Sequence, residues 1–103
     1  MIKISVFYPA QNGARFDMDY YLKVHMPMVR EKLGEACKSM AVEQGLSGIT
    51  PGTPPVYCVL AHMVFESVEK FQSAFAPHAS AIMADIPNYT SLQPVIQIGE
   101  VKM

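Results

Sequence analysis

Three histidines, His25, His62 and His78, and nine carboxylates make up most of the chain's capacity for acid–base chemistry. The richest stretch is Tyr20-Tyr21-Leu22-Lys23-Val24-His25-Met26-Pro27-Met28, which places an imidazole, a phenol one helical turn earlier and polarisable methionines beside a proline. An imidazole desolvated in an apolar pocket has its pKa pushed down and stays neutral near physiological pH, the state a proton-abstracting or proton-relaying group needs. His25 is therefore the candidate acid–base residue, and Tyr21 the candidate for orienting a substrate or stabilising an oxyanion. A histidine on an apolar stripe is also commonly a hydrogen-bonded core residue. A general base and a ligand anchor require the same residue in the same pocket, so the sequence supports both roles.

The other histidines are less pointed. His62 sits on an apolar strand, where packing against a backbone or tyrosine partner is the plain reading. His78 follows Pro77 on a helical stripe from which it can approach the His25 pocket. With Met28, Phe71 and Phe75 these two complete the candidate ligand-binding set, because methionine and aromatic side chains suit adaptable pockets for flat apolar molecules. No HxxxH or HExxH pair, glycine-rich phosphate loop or GxSxG elbow occurs. Cys37 and Cys58 have no CxxC or finger spacing, so free thiols in a reducing compartment are expected, with no metal and no cofactor. A haem or metal held by His62 or His25 has no ligand spacing in its favour.

These side chains need elements to hold them. Ile2 to Tyr8 alternates with period two and predicts a first strand, followed by Pro9 and an Asn12-Gly13 turn. Asp17 is a good N-cap for a helix to about Leu33, with Phe16 placed to staple against Tyr21. Met18, Tyr21, Leu22, Met28, Val29 and Leu33 form its apolar stripe, His25 fills the gap, and Pro27 predicts a kink or local opening beside the histidine. Residues 38–46 read as a second strand with Met40, Val42, Gln44 and Leu46 on one face. Residues 56–65 read as a third strand that is apolar on both faces. Ser67 caps a second helix, restarted at Pro77 and closed by Asp85-Ile86-Pro87-Asn88. Residues 95–101 form the last strand. The order β-α-β-β-α-β is the split βαβ pattern, an α+β ferredoxin-like fold with a four-stranded antiparallel sheet and both helices on one face.

At 103 residues the chain fits one domain, residues 1–103. Only 17% of the residues are charged, against about a quarter in a typical domain. That deficit, with the two-faced third strand, predicts a homodimer in which a second sheet covers the face the helices leave open. The formal charge of −1, without a Lys/Arg run, argues against a nucleic-acid partner. No signal-peptide series opens the chain and no apolar run is long enough to span a bilayer, so a cytoplasmic protein with no membrane partner is expected.

Phe7-Tyr8-Pro9, Phe16-Asp17 with Tyr20-Tyr21, His25-Met26-Pro27 and Asp85-Ile86-Pro87-Asn88-Tyr89-Thr90, in this order, make the chain resemble the EthD family, named after ethyl tert-butyl ether degradation, within the dimeric α/β-barrel superfamily. The resemblance covers nearly the whole length. It implies a ferredoxin-like protomer, a homodimer whose sheets form a barrel, a pocket between helices and sheet, and His25 as the functional residue. It does not choose the chemistry, since superfamily relatives include cofactor-free monooxygenases, polyketide cyclases, decarboxylases, lactone isomerases and haem enzymes. Asp85 and Asn88 are motif positions, but their stretch stops a helix and turns the chain unaided, so they read as mainly structural.

The expected function is thus a cofactor-independent oxidoreductase of the monooxygenase kind, or a cyclase or decarboxylase, acting on a small apolar or aromatic molecule of phenolic or polyketide-like type. The alternative is a binding or accessory protein of a degradation or biosynthetic pathway that carries the same ligand without turning it over.

Overall fold

The computed structural model describes residues 1–103. Strands β1 (Ile2–Pro9), β2 (Ser39–Gln44), β3 (Tyr57–Phe65) and β4 (Val95–Glu100) form one sheet in the order β2-β3-β1-β4. All three pairings are antiparallel. Between β1 and β2 run α1 (Met18–Tyr20), a π-helical turn (Tyr21–His25) and α2 (Met26–Leu33); between β3 and β4 run α3 (Val68–Phe75), a 3-10 turn (Ala76–His78) and α4 (Ala79–Ala84). This is the expected ferredoxin-like α+β arrangement, and it follows from the alternation in the strands. Ile2, Ile4, Val6 and Tyr8 of β1 and Val59, Ala61, Met63 and Phe65 of β3 are buried on the helix-bearing face, while their neighbours point the other way.

Strand ends differ slightly from the alternation-based bounds. Val56 lies outside β3 and is 72% exposed, though its carbonyl still accepts from the Ala10 N–H at 3.0 Å. Leu46 lies beyond β2 and is 91% exposed, because the chain leaves the sheet at the Pro/Gly loop.

The helical segments are capped as their sequences dictate. Asp17 accepts from the Tyr20 N–H and Ser67 from the Lys70 N–H, each at 3.1 Å. Phe16 packs edge-on against Tyr21 at 5.1 Å. The opening expected at Pro27 takes the form of the π turn, in which the Met26 N–H reaches back to the Tyr21 carbonyl. Pro27 has no N–H for the Lys23 carbonyl, so a regular ladder cannot run through this point. The i→i−5 bond places Met26 below Tyr21, and the buried stripe continues as His25, Met26, Val29 and Leu33. Leu22, expected on that stripe, is 49% exposed. The extra residue in the turn has rotated it outward.

Helices cover β1 and β3 but leave β4 bare. Ile96 and Ile98 pair with Val6 and Ile4, and so share the core face, yet both remain exposed. The far face of the sheet carries Ser5 and Phe7 of β1, Cys58, Leu60, His62 and Val64 of β3, and Val95 of β4. No helix is long and apolar enough to cross a membrane.

Candidate functional site

The π turn delivers His25, its last residue, to the interior. The side chain is buried, stacked on Tyr21 with ring centroids 5.5 Å apart and packed against Tyr89 at 4.6 Å. His25 Nδ1 lies 2.9 Å from Asp85 Oδ2. Asp85 closes α4 and starts the 3-10 turn Ile86–Asn88, so the turn chemistry that stops the second helix also aims a carboxylate at the first. The reading of Asp85 and Asn88 as mainly structural is therefore incomplete. Asp85 does sit at the turn, and it also gathers three donors: His25, the Tyr20 hydroxyl at 2.7 Å and the Asn88 side-chain amide at 2.9 Å.

Burial pushes the Asp85 pKa up, but the donors from Asn88, Tyr20 and His25 together outweigh it and hold the carboxyl below its ordinary range. An ionised carboxylate only accepts, so His25 Nδ1 carries the proton and Nε2 keeps its lone pair. Burial lowers the His25 pKa, and Asp85 offsets part of that by its hydrogen bond and charge. The net direction is downward, giving a neutral imidazole at neutral pH. No buried side-chain nitrogen or oxygen lacks a partner, and Nε2 makes no hydrogen bond within the chain, so Nε2 must reach open space. For a side chain this buried, that space is the cavity it lines.

The cavity has a volume of about 390 Å³ and lies between the sheet and the helices. Of its 19 lining residues 16 are hydrophobic, and none is Lys, Arg, Asp or Glu, so its polarity is confined to a few groups. Those are His25, Gln97 and the tyrosines Tyr8, Tyr21 and Tyr89. The Tyr8 and Tyr89 hydroxyls are 2.6 Å apart and buried. Desolvation raises the pKa of all three phenols, so they stay protonated. The cavity is also lined by Met83 and Ile86 from the second helical segment and its turn, and by Pro94, Ile96 and Ile98 at the uncovered β4 edge.

Of the residues singled out in the sequence, His25, Tyr21, Phe71 and Phe75 meet in this cavity, the two phenylalanines stacked at 5.2 Å. Met28 does not line it; the π turn rotates this residue to a half-buried position at the edge of the core, and Met26 takes the place expected for it. His62 is on the opposite face of the sheet, 3.3 Å from Ser5 Oγ and 3.6 Å from Glu43. The period of the strand puts it there, because Ala61 and Met63 face the helices. His78 lies half-buried in the 3-10 turn before α4 and does not reach the cavity wall. No three His, Cys, Asp or Glu side chains gather where they could hold a metal ion.

The residues not singled out as site groups, Tyr8, Tyr89, Met26 and Asp85, come from the same short motifs that carry the family resemblance. Phe16 bridges Thr90, the Asp17 N–H bonds the Tyr89 carbonyl at 2.7 Å, and Arg15 holds the Pro87 carbonyl at 2.7 Å. These bonds lash the Asp85–Thr90 segment to the start of the first helix. The widely spaced motifs are thus one assembly around His25.

A ferredoxin-like domain with a buried His25–Asp85 pair beside an apolar cavity defines the class, and comparison with known proteins gives the family. The EthD domain matches residues 14–93, and the chain belongs to the EthD family. It is similar to the crystal structure of an EthD-like protein from Ralstonia eutropha JMP134, with 45% identity and a TM-score of 0.94, covering 99% of this chain and 92% of that one. An ethyl tert-butyl ether degradation (EthD) family protein from Bacillus halodurans C-125 shares 20% identity at a TM-score of 0.75, covering 99% of both chains. HapK from Hahella chejuensis shares the fold alone, at 12% identity and a TM-score of 0.58, over 99% of this chain and 93% of that one. No curated protein matches the chain.

Proposed function

We propose that the protein binds a small apolar or aromatic molecule in the cavity and moves a proton on it with His25. The observation that carries this reading is the 2.9 Å His25–Asp85 contact beside a cavity whose other lining is hydrocarbon, three phenols and the Gln97 amide. In the step proposed, His25 Nε2 takes a proton from an O–H or C–H of the substrate. The imidazolium that forms is stabilised by Asp85, and the substrate anion by hydroxyl donors of the tyrosine cluster. Such an anion is the shared starting point for cyclisation or reaction with dioxygen, two of the cofactor-independent chemistries in view.

The active unit proposed is a cytoplasmic homodimer. Phe7, Leu60, Val64 and Val95 give the open face of the sheet an apolar character that a second sheet would cover.

The test is a thermal-shift screen of flat aromatic compounds on the native protein and His25→Gln, followed by incubation of each hit and mass analysis of the products. Stabilisation by one chemical class, with turnover abolished in His25→Gln, is the expected result. Stabilisation without turnover in either protein would make the chain a carrier. No stabilisation by any compound would refute the binding reading.

A further inference from the structure

The cavity's lining specifies the ligand more narrowly than its apolar character does, and the inference rests on the binding reading above. A cavity of about 150 Å³ holds one benzene ring. At about 390 Å³, this one has room for roughly two to three rings. With no Lys or Arg on its wall, nothing there can pair with a carboxylate, sulfonate or phosphate, and an unpaired charge in such surroundings is strongly disfavoured. Asp85 does not line the cavity and is already engaged by three donors. What the cavity offers is an acceptor lone pair at Nε2, with three phenols and the neutral Gln97 amide elsewhere on its lining.

We infer that the cognate ligand is a neutral weak acid, a fused-ring molecule bearing a phenolic or enolic O–H that donates to His25 Nε2. Entry in the neutral form follows from the uncharged wall, and ionisation takes place only at the dyad. The proton lost from oxygen goes to Nε2 and its electron pair stays on the ligand oxygen, beside the hydroxyl donors. This orders the ligand's head groups: O–H first, its methyl ether second, carboxylate last.

Affinities of 2-naphthol, 2-methoxynaphthalene and 2-naphthoate, measured by fluorescence titration at pH 7.5, test that order. One neutral hydrogen bond predicts naphthol about two- to tenfold tighter than the methyl ether. Naphthoate is expected to be the weakest. In His25→Gln and His25→Ala, each checked for native circular dichroism, the preference for naphthol over the ether should shrink toward unity. Equal binding of naphthol and ether in the native protein, or tighter binding of naphthoate, would overturn the ligand class while leaving an apolar binding site intact. Absence of binding by all three would overturn both readings.

Discussion

Replacing Asp85 by Asn tests the arrangement at its centre, since the substitution keeps size and shape while removing the charge. Asp85 accepts from Tyr20, Asn88 and His25. Asparagine keeps one acceptor oxygen, which can still serve Tyr20 and Asn88 as a neutral partner. The position facing His25 becomes an N–H donor. The imidazole must then accept at Nδ1 and carry its proton on Nε2, so the lone pair facing the cavity is lost. A hydrogen bond to a charged group contributes about 1.5–3 kcal/mol and a neutral one about 0.5–1.5 kcal/mol, so exchanging part of this set costs about 1–3 kcal/mol. For a domain of this size that is a melting temperature lower by about 5–20 °C. Long-range nitrogen–proton NMR of the ring reads the tautomer directly. The expected spectrum changes from Nδ1–H in the native protein to Nε2–H in Asp85→Asn, and any turnover falls with it. The His25 titration midpoint should also move further down, because burial, which lowers it, is then no longer offset by Asp85. An unchanged tautomer, or a midpoint that rises, would refute the assignment of Asp85 as the group that orients His25.

The remaining predictions concern pH and assembly. The folded-state pKa of His25 is lowered from 6.5, so the unfolded chain takes up a proton first as pH falls. The native state therefore loses stability from about pH 6.5 downward, and the depressed Asp85 adds a further loss below about pH 4. Urea unfolding at pH 7.5, 6 and 5 should show this decline, with the loss between pH 7.5 and 5 reduced in His25→Gln; stability that rises over this range would contradict the geometry. On the open face, Leu60→Arg places a charge at the centre of the proposed sheet-to-sheet contact. Sedimentation should show the native protein at twice the 11.4 kDa chain mass and the variant as a monomer; a native monomer would refute the dimer.

Strand alternation and helix caps made the fold legible, because each element is specified by residues close together in the chain. Period-two burial in β1 and β3, Asp17 and Ser67 as N-caps, and the disturbance ahead of Pro27 are all local effects of covalent geometry and short-range hydrogen bonding. Met26 was harder to place. Counting along a regular helix puts Met28 on the stripe, and only the one-residue insertion of the π turn brings Met26 in instead. A proline reveals that a helix is disturbed without specifying that the ladder widens rather than breaks. His62 shows the same limit from the strand side. Its type drew attention, but period two fixes its face opposite to Ala61 and Met63, away from the cavity.

Asp85 shows why an acid–base pair is harder to read than the elements that hold it. Asp-Ile-Pro-Asn is a complete local solution to ending a helix, since it supplies a boundary residue, a proline stop and a side-chain bond from Asn88 back to Asp85. Those local tasks account for every residue in the stretch, which leaves no unexplained polarity to signal a partner 60 positions away. The carboxylate is not consumed by them, however. Its second oxygen is free to meet His25, and the lashing of Arg15, Phe16 and Asp17 to residues 87–91 fixes the turn against the first helix so that it does. The same turn thus supplies chain reversal and a carboxylate aimed at His25. A substitution that keeps the turn but not the charge, as Asp85→Asn does, should therefore separate the two roles, leaving the fold in place while the imidazole changes its proton.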